Sequence, residues 1–288
     1  MTDVELTPAH TCEGTVKANA AVSSGLLRLD LELDLAVDFL PGQFAMLNLA
    51  GPGAFVFSRP FSIYAIEDRT VSFLYRKVGL GTEAMGELGP GARMSFLGPL
   101  GRPFPGPKAG APEILIAGGV GLPPLAAWLD RYGTTAAGAQ AFFGARDGSD
   151  VPWGILGDRW RVSVDVLKDV PPGRDAWEGL VPDLVASRAD LAEETARTVL
   201  SCGPTPLLKA AAALARKRGW DCWLSLEEHM GCGYGVCKGC VVPVFDPDTP
   251  GGAVRNATCC QEGPVFRAED LAWDLPEPGF PTADGGMS

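Results

Sequence analysis

Eight cysteines but only two histidines stand in this chain of 288 residues, so sulfur is the place to look for chemistry. In Cys232-Gly-Tyr-Gly-Val-Cys237-Lys-Gly-Cys240, four and then two residues separate successive cysteines, and nineteen more lead to Cys260. Four-then-two is the spacing of plant-type 2Fe–2S ligation. Such a cluster needs four thiolates converging on a compact inorganic core. Gly231, Gly233, Gly235 and Gly239 let the loop bend tightly and bring backbone N–H groups to the sulfurs. A structural zinc held by four cysteines is the alternative. Zinc ribbons pair two C-x2-C knuckles, and only Cys237–Cys240 has that form here. Cys259 and Cys260 are adjacent, and neighbours on an extended chain point to opposite sides, so only one of the two should ligate.

Two further runs could hold a ligand. Gly118-Gly119-Val120-Gly121-Leu122-Pro123-Pro124-Leu125 lies between an apolar run and a helix-like segment. A nucleotide pyrophosphate meets helix N–H groups at such a turn, although an ordinary strand-to-helix connection reads the same way. Ser201-Cys202-Gly203-Pro204 ends a second apolar run, which would bring Cys202 close to that ligand; from position alone Cys202 also reads as a small buried hydrophobe. Nearer the N-terminus, Arg59-Pro60-Phe61-Ser62 and Tyr75-Arg76 could hold a diphosphate and a ring edge. Gly81-Thr82 offers donors at a turn.

The elements that must position these groups fall into three stretches. Cys12–Lys17, Leu26–Leu35, Gln43–Ala50, Arg59–Glu67, Thr70–Val78 and Ala92–Leu97 read as strands with short connections, which predicts a small antiparallel barrel. After the Pro- and Gly-rich stretch Gly98–Pro107, Ile114–Ala117, Gln140–Gly144, Val162–Leu167, Thr198–Cys202 and Cys222–Leu226 read as strands alternating with helices at Pro123–Tyr132 and Thr205–Gly219. That pattern predicts a parallel, Rossmann-like α/β sheet. The fold class expected is therefore a β-barrel domain at 10–105, an α/β nucleotide domain at 106–226 and a small cysteine module at 227–274. The tail 275–288, with three Pro and three Gly, is expected to be disordered.

Composition narrows the function classes. A formal charge of −11 repels phosphate backbones and argues against nucleic acid as a partner. No segment approaches the roughly 18 uninterrupted apolar residues of a membrane helix. Met1–Glu13 lacks a basic stretch followed by an apolar core. The expectation is a cytoplasmic protein, off the membrane, whose thiols stay reduced.

Taken in order, Arg59–Tyr64 (R-P-F-S-I-Y), Tyr75-Arg76 with Gly81-Thr82, Gly98–Gly101 (G-P-L-G), Gly118–Leu125 and Ser201–Pro204 resemble the ferredoxin–NADP reductase family of flavoproteins. The cysteine module narrows the resemblance to the electron-transfer subunits of NAD-dependent (class 1B) dihydroorotate dehydrogenases. Ser225-Leu-Glu-Glu-His-Met230 and Cys260-Gln-Glu-Gly263-Pro264-Val265-Phe266 are similar to the segments that enter and leave the cluster loop there. The likeness extends over about residues 12–272.

The resemblance implies FAD contacts from Arg59, Pro60, Phe61, Ser62, Leu74, Tyr75, Arg76, Gly81 and Thr82. It implies a nicotinamide side at Gly118, Gly119, Gly121, Cys202 and Gly203, with Cys202 aligning the NAD. It implies a 2Fe–2S cluster on Cys232, Cys237, Cys240 and Cys260, the C-x-x-G-P-V-F register selecting Cys260. No catalytic acid or base is assigned, because hydride transfer between bound cofactors needs none. Electrons would pass from the FMN of a dihydroorotate dehydrogenase catalytic subunit, through the cluster and FAD, to NAD in pyrimidine (UMP) biosynthesis. The chain leaves no room for an FMN-binding (β/α)8 domain, so a heterotetramer with that subunit is implied. The alternative is an FAD/2Fe–2S subunit of another complex, of sulfhydrogenase or ferredoxin–NADP reductase type.

Overall fold

The computed structural model describes residues 8–51, 55–136, 138–191, 196–246 and 253–273. The tail lies outside them. Strands β1 (His10–Ala21), β2 (Leu27–Leu33), β3 (Phe44–Leu49), β4 (Arg59–Glu67), β5 (Thr70–Tyr75) and β6 (Arg93–Leu100) close an antiparallel barrel in the order β1-β2-β5-β4-β3-β6. The cause is period-two alternation. In β2, Leu29, Leu31 and Leu33 are buried while Arg28, Asp30 and Glu32 are not, and they meet Val16, Leu47, Ile63, Phe73 and Phe96 inside the barrel. Between β5 and β6 comes a short helix, α1 (Leu80–Gly86), where the sequence suggests only a turn.

The second unit alternates strand and helix: β7 (Glu113–Gly118), α2 (Leu122–Tyr132), β8 (Gln140–Ala145), α3 (Trp153–Leu156), β9 (Trp160–Val164), β10 (Trp177–Glu178), α4 (Val181–Ser187), β11 (Thr198–Cys202), α5 (Thr205–Arg218) and β12 (Asp221–Ser225). β7 is buried at every position, as a strand covered on both faces must be. α2 packs on one face of the sheet and reaches back to the barrel, sharing a core with Leu74 and Phe104. α4 and α5 cover the other face. α5 stops at Gly219, whose φ of 69° closes the helix in the left-handed region. β9 ends at Val164, three residues short of the expected strand end, because Val166 and Leu167 point to solvent, 55% and 52% exposed.

The cysteine module adds β13 (Val241–Phe245), β14 (Val254–Thr258), α6 (Cys259–Glu262) and β15 (Val265–Arg267). β13 and β14 form their own two-stranded sheet, but β15 returns to the main sheet and pairs antiparallel with β12, giving the order β10-β9-β8-β7-β11-β12-β15. The module also shares its core with α5: Val242, Val244, Cys259 and Phe266 pack in one buried cluster with Leu208 and Ala211.

Candidate functional site

A cleft of about 600 Å³ opens where the barrel meets the carboxyl edge of the sheet, within the range of cofactor and small-molecule sites. β4 contributes Arg59, Pro60, Phe61 and Ser62 to its wall, the end of β5 contributes Leu74, Tyr75 and Arg76, and α1 contributes Gly81 and Thr82. All nine residues assigned to FAD by resemblance therefore border one space. Their side chains are held in place. Phe61 stacks edge-on against Phe73 and Tyr75, with centroids 6.5 and 6.0 Å apart. Tyr75 Oη donates to Asn19 Oδ1 (2.9 Å), and Asn19 Nδ2 donates to the carbonyls of Met85 and Leu88 (2.8 and 3.1 Å), tying α1 to the barrel. Thr82 Oγ1 accepts from the N–H groups of Val78 and Gly79 (2.8 and 3.2 Å), fixing the turn into α1. The Arg59 guanidinium lies over the Phe55 ring at 4.2 Å and against Gly81, where any side chain would displace it. Arg59 and Arg76 bring two positive charges to this wall of the cleft, which suits a diphosphate.

The far wall comes from the sheet and from the approach to the cysteine loop: Cys202, Ser225, Leu226, Glu227, Glu228, His229 and Met230. Cys202 is 2% exposed yet borders the cleft, so it is both a core residue and a wall residue. Burial pushes its thiol well above the ordinary range, and Glu227 adds to that. Burial also raises the Glu227 carboxyl, with Arg76 pulling the other way.

A second cleft, about 330 Å³, lies outside the carboxyl ends of β7, β8 and β9 and beside the start of α5. Gly118 and Gly119 border it, with Arg146, Ser163 and Asp165 opposite. It adjoins the point between β7 and β11 where the order of strands reverses, the usual ligand position in open α/β sheets. Gly121 and Gly203 border neither cleft. They set the backbone approach instead: a Cβ on Gly121 would run into the Cys202 carbonyl, and Gly203 has φ of 151°. Arg76 borders both clefts. Asp165 escapes sequence reading because the expected strand Val162–Leu167 runs through it, whereas it is the first residue past the true strand end.

The cysteine loop begins two positions after Met230. Gly233 and Gly235 have φ of 81° and 85°, which turns backbone N–H groups inward. Cys237 N–H donates to Cys232 Sγ (3.4 Å), Gly235 N–H to Cys260 Sγ (3.1 Å) and Cys260 N–H to Cys240 Sγ (3.4 Å). Burial works against ionisation of Cys232, but the N–H groups of Cys237, Tyr234 and Val236 outweigh it and hold the thiol down at about 6. Cys259 turns away, its Sγ 4.0 Å from the Leu226 carbonyl oxygen. Among the described residues no three His, Cys, Asp or Glu side chains are arranged around a single metal ion. The Cys232 thiol is hydrogen-bonded by the Cys237 side chain and the Cys260 thiol by the Cys240 side chain, with Cys232 close enough to act on Cys260 as well. A binuclear cluster takes two protein ligands per iron, so this donor set fits 2Fe–2S better than a tetrahedral zinc. Around the loop Phe57, Tyr234 and Val236 form an exposed apolar rim.

The chain is similar to known proteins over most of its length. Residues 227–272 match a family model described as the iron–sulfur cluster binding domain of dihydroorotate dehydrogenase B. The chain is 30% identical over 243 residues to the dihydroorotate dehydrogenase B (NAD(+)) electron transfer subunit of Desulforamulus reducens, covering 84% of this chain and 90% of that protein. It is 32% identical to the subunit of the same name from Bacillus velezensis, covering 90% and 97%. Among solved structures, the NADH-dependent reduced ferredoxin–NADP oxidoreductase superposes with a TM-score of 0.69 at 23% identity, covering 95% and 92%, a likeness of fold. The ferredoxin reductase of carbazole 1,9a-dioxygenase gives a TM-score of 0.63 at 25% identity, covering 74% and 67%.

Proposed function

The chain belongs to the family of dihydroorotate dehydrogenase B electron-transfer subunits, and we propose on that footing how its residues divide the work. It is a flavin and iron–sulfur oxidoreductase subunit: electrons leave the FMN of a dihydroorotate dehydrogenase catalytic subunit, pass through the 2Fe–2S cluster and FAD, and reach NAD+ in pyrimidine biosynthesis. When bound, the cluster relays electrons singly and FAD gathers two of them and gives them to nicotinamide as hydride. Cys232, Cys237, Cys240 and Cys260 hold the cluster, with inward N–H groups stabilising the thiolates. Arg59 and Arg76 neutralise the flavin diphosphate and ring, Phe61 and Tyr75 wall the ring, and Thr82 keeps the phosphate-facing turn in shape. Gly118 and Gly119 let a dinucleotide approach the backbone between β7 and α2. Gly121 and Gly203 keep the Cys202 loop close enough to align the nicotinamide. Asp165, at the end of β9, is placed to accept a hydrogen bond from the adenosine ribose and to repel a 2′-phosphate.

The functional division we propose is a barrel for FAD at 10–105, a nucleotide unit at 106–226 and a cluster unit at 227–274. The apolar rim of Phe57, Tyr234 and Val236 would face the catalytic subunit in a heterotetramer. Among the described residues no helix is long and apolar enough to cross a membrane. We place the protein in the cytoplasm, where thiols stay reduced until a cluster arrives.

The observation that carries this reading is the continuity of the cleft with the loop. The FAD-side arginines, Cys202 and Met230 border one space, and Cys232 lies two residues further on. The test is to capture the protein anaerobically from its host and supply dihydroorotate and NAD+. NADH formation with a co-eluting FMN protein is expected. A brown protein that NADH reduces but dihydroorotate does not would overturn the pathway and leave the ferredoxin–NADP reductase or sulfhydrogenase role in its place.

A further inference from the structure

Hydride transfer needs its donor and acceptor atoms about 3–3.5 Å apart, and a misplacement of about 1 Å can cost about 100-fold in rate. On the reading above, the flavin lies on the barrel and the nicotinamide on the α/β unit, so that distance is set by the register between the two. Away from the clefts, packing holds the register: α2 shares a core with Leu74 and Phe104, and Trp128 Nε1 donates to the Pro105 carbonyl (2.8 Å). On the cleft side polar groups hold it, and they converge on Asp150.

We propose that Asp150 is a positioning residue for this transfer, a buried carboxylate that locks the hairpin between β1 and β2 to the loop after β8 and holds Arg76 and Arg146 in the cleft walls. The inference rests on the flavin and nucleotide assignments above. Asp150 is 6% exposed, and both of its oxygens are used. Oδ1 accepts from Ser24 Oγ in the barrel hairpin (2.6 Å), and Oδ2 accepts from Arg146 Nε in the α/β unit (2.8 Å). Ser24 N–H donates to the neighbouring Ser149 carbonyl (2.9 Å). Arg76 Nε donates to the Gly25 carbonyl (3.3 Å), and a side chain on Gly25 would press on both the Asp150 carboxylate and the Arg76 guanidinium. One on Gly119 would touch the same guanidinium, so Arg76 reaches from the hairpin to the glycine turn. Asp150, Arg146 and Gly119 border the second cleft, and Arg76 borders both.

The sign of its charge argues for positioning rather than binding. Burial works against the Asp150 anion, but hydrogen bonds from Arg146 and Ser24 and the charges of Arg146 and Arg76 outweigh it and hold the carboxyl below the ordinary range. The group is therefore an anion at neutral pH. An anion in the wall of a cleft that takes a diphosphate repels that ligand. What Asp150 contributes is geometry: it joins the two units and fixes the direction of both arginines.

The test uses the holoenzyme complex under anaerobic stopped flow, with NAD+ affinity from calorimetry. NADH reduces the flavin by hydride and depends on the register. Dihydroorotate reduces the same flavin through the cluster, whose loop abuts the barrel itself, Gly233 against Met46, and serves as the internal reference. In D150N the NADH rate divided by the dihydroorotate rate should fall roughly 10–100-fold, while NAD+ binds the oxidised complex as tightly as in the wild type or more so. S24A keeps the charge and loses one hydrogen bond across the junction, so its ratio should fall less and its NAD+ affinity stay the same. In both variants, hydrogen exchange at the Ser24 amide should quicken. An unchanged ratio in D150N, an equal fall in both rates, or a loss of NAD+ affinity as large as the loss of rate would overturn the proposal. Should D150N fail to assemble, S24A decides: a wild-type ratio there overturns it. A wild type whose flavin NADH cannot bleach would overturn the flavin–cluster reading itself, and this inference with it.

Discussion

The cysteine loop and the flavin-side cleft are built on opposite plans. Three of the four cysteines proposed to hold the cluster lie within nine residues, and the N–H groups that face the sulfurs come from the same loop or from α6. The cleft instead gathers β4, β5, α1, β11 and the run after β12, which are spread over about 170 residues of chain. A concentrated site can fail at one residue, because every ligand is required. A distributed site loses function by degrees, because each contact is one of many.

The largest contrast should come from neighbouring cysteines. Cys260→Ser should abolish the cluster, seen as loss of bound iron and of visible absorption, whereas Cys259→Ser should retain it. Equal loss from both would break the comparison by showing that the inward-facing thiol is not what selects the ligand. Next in size, Gly235→Ala forces a side chain into a left-handed position against Gln261, at a cost of about 1–3 kcal/mol. Melting temperature and iron content should fall together while FAD content changes little. On the cleft side, Arg59→Ala should weaken FAD binding roughly 10–100-fold, matching a lost charge-assisted contact of about 1.5–3 kcal/mol, with the iron unchanged. Flavin release followed by fluorescence would measure it.

The smallest effect concerns the iron-free protein. Its Cys232 thiol sits near 6, below the unfolded value of 9.0. The thiolate then supports the fold fully above pH 9, and its contribution is lost as pH falls through about 6. Alkylation of the iron-free chain should show Cys232 reacting with a midpoint near pH 6 while buried Cys259 stays inert. A midpoint near the ordinary thiol value would remove the preorganisation argued for the loop.

The same contrast explains what the sequence discloses. A cluster loop is a local object, so its spacing is visible in the one-dimensional chain. The Arg59–Ser62 strand and the Gly118–Leu125 turn are also contiguous and equally legible. α1 is hidden because Gly81 and Gly86 have poor helix propensity; a local Thr82 contact with the Val78 N–H and tertiary bonds from Asn19 hold the segment helical. Asp165 is hidden by the apolar Val166-Leu167 that follow it, which prolong the strand pattern into solvent. Glu227 is visible as a residue of a familiar run but not as a wall of the cleft. That role depends on the register of β12 against β11, which is a long-range fact.

The returning strand β15 has a further consequence. It caps the edge of β12, and the Pro264 carbonyl just before it accepts from Leu226 N–H at 2.9 Å. An uncapped sheet edge invites pairing with other chains. Cys260 lies only five residues before this strand, so the cysteine loop and the covering of the sheet edge share one short segment of chain. A change in that segment that freed β15 from β12 would bare the edge and offer it to strands of other chains.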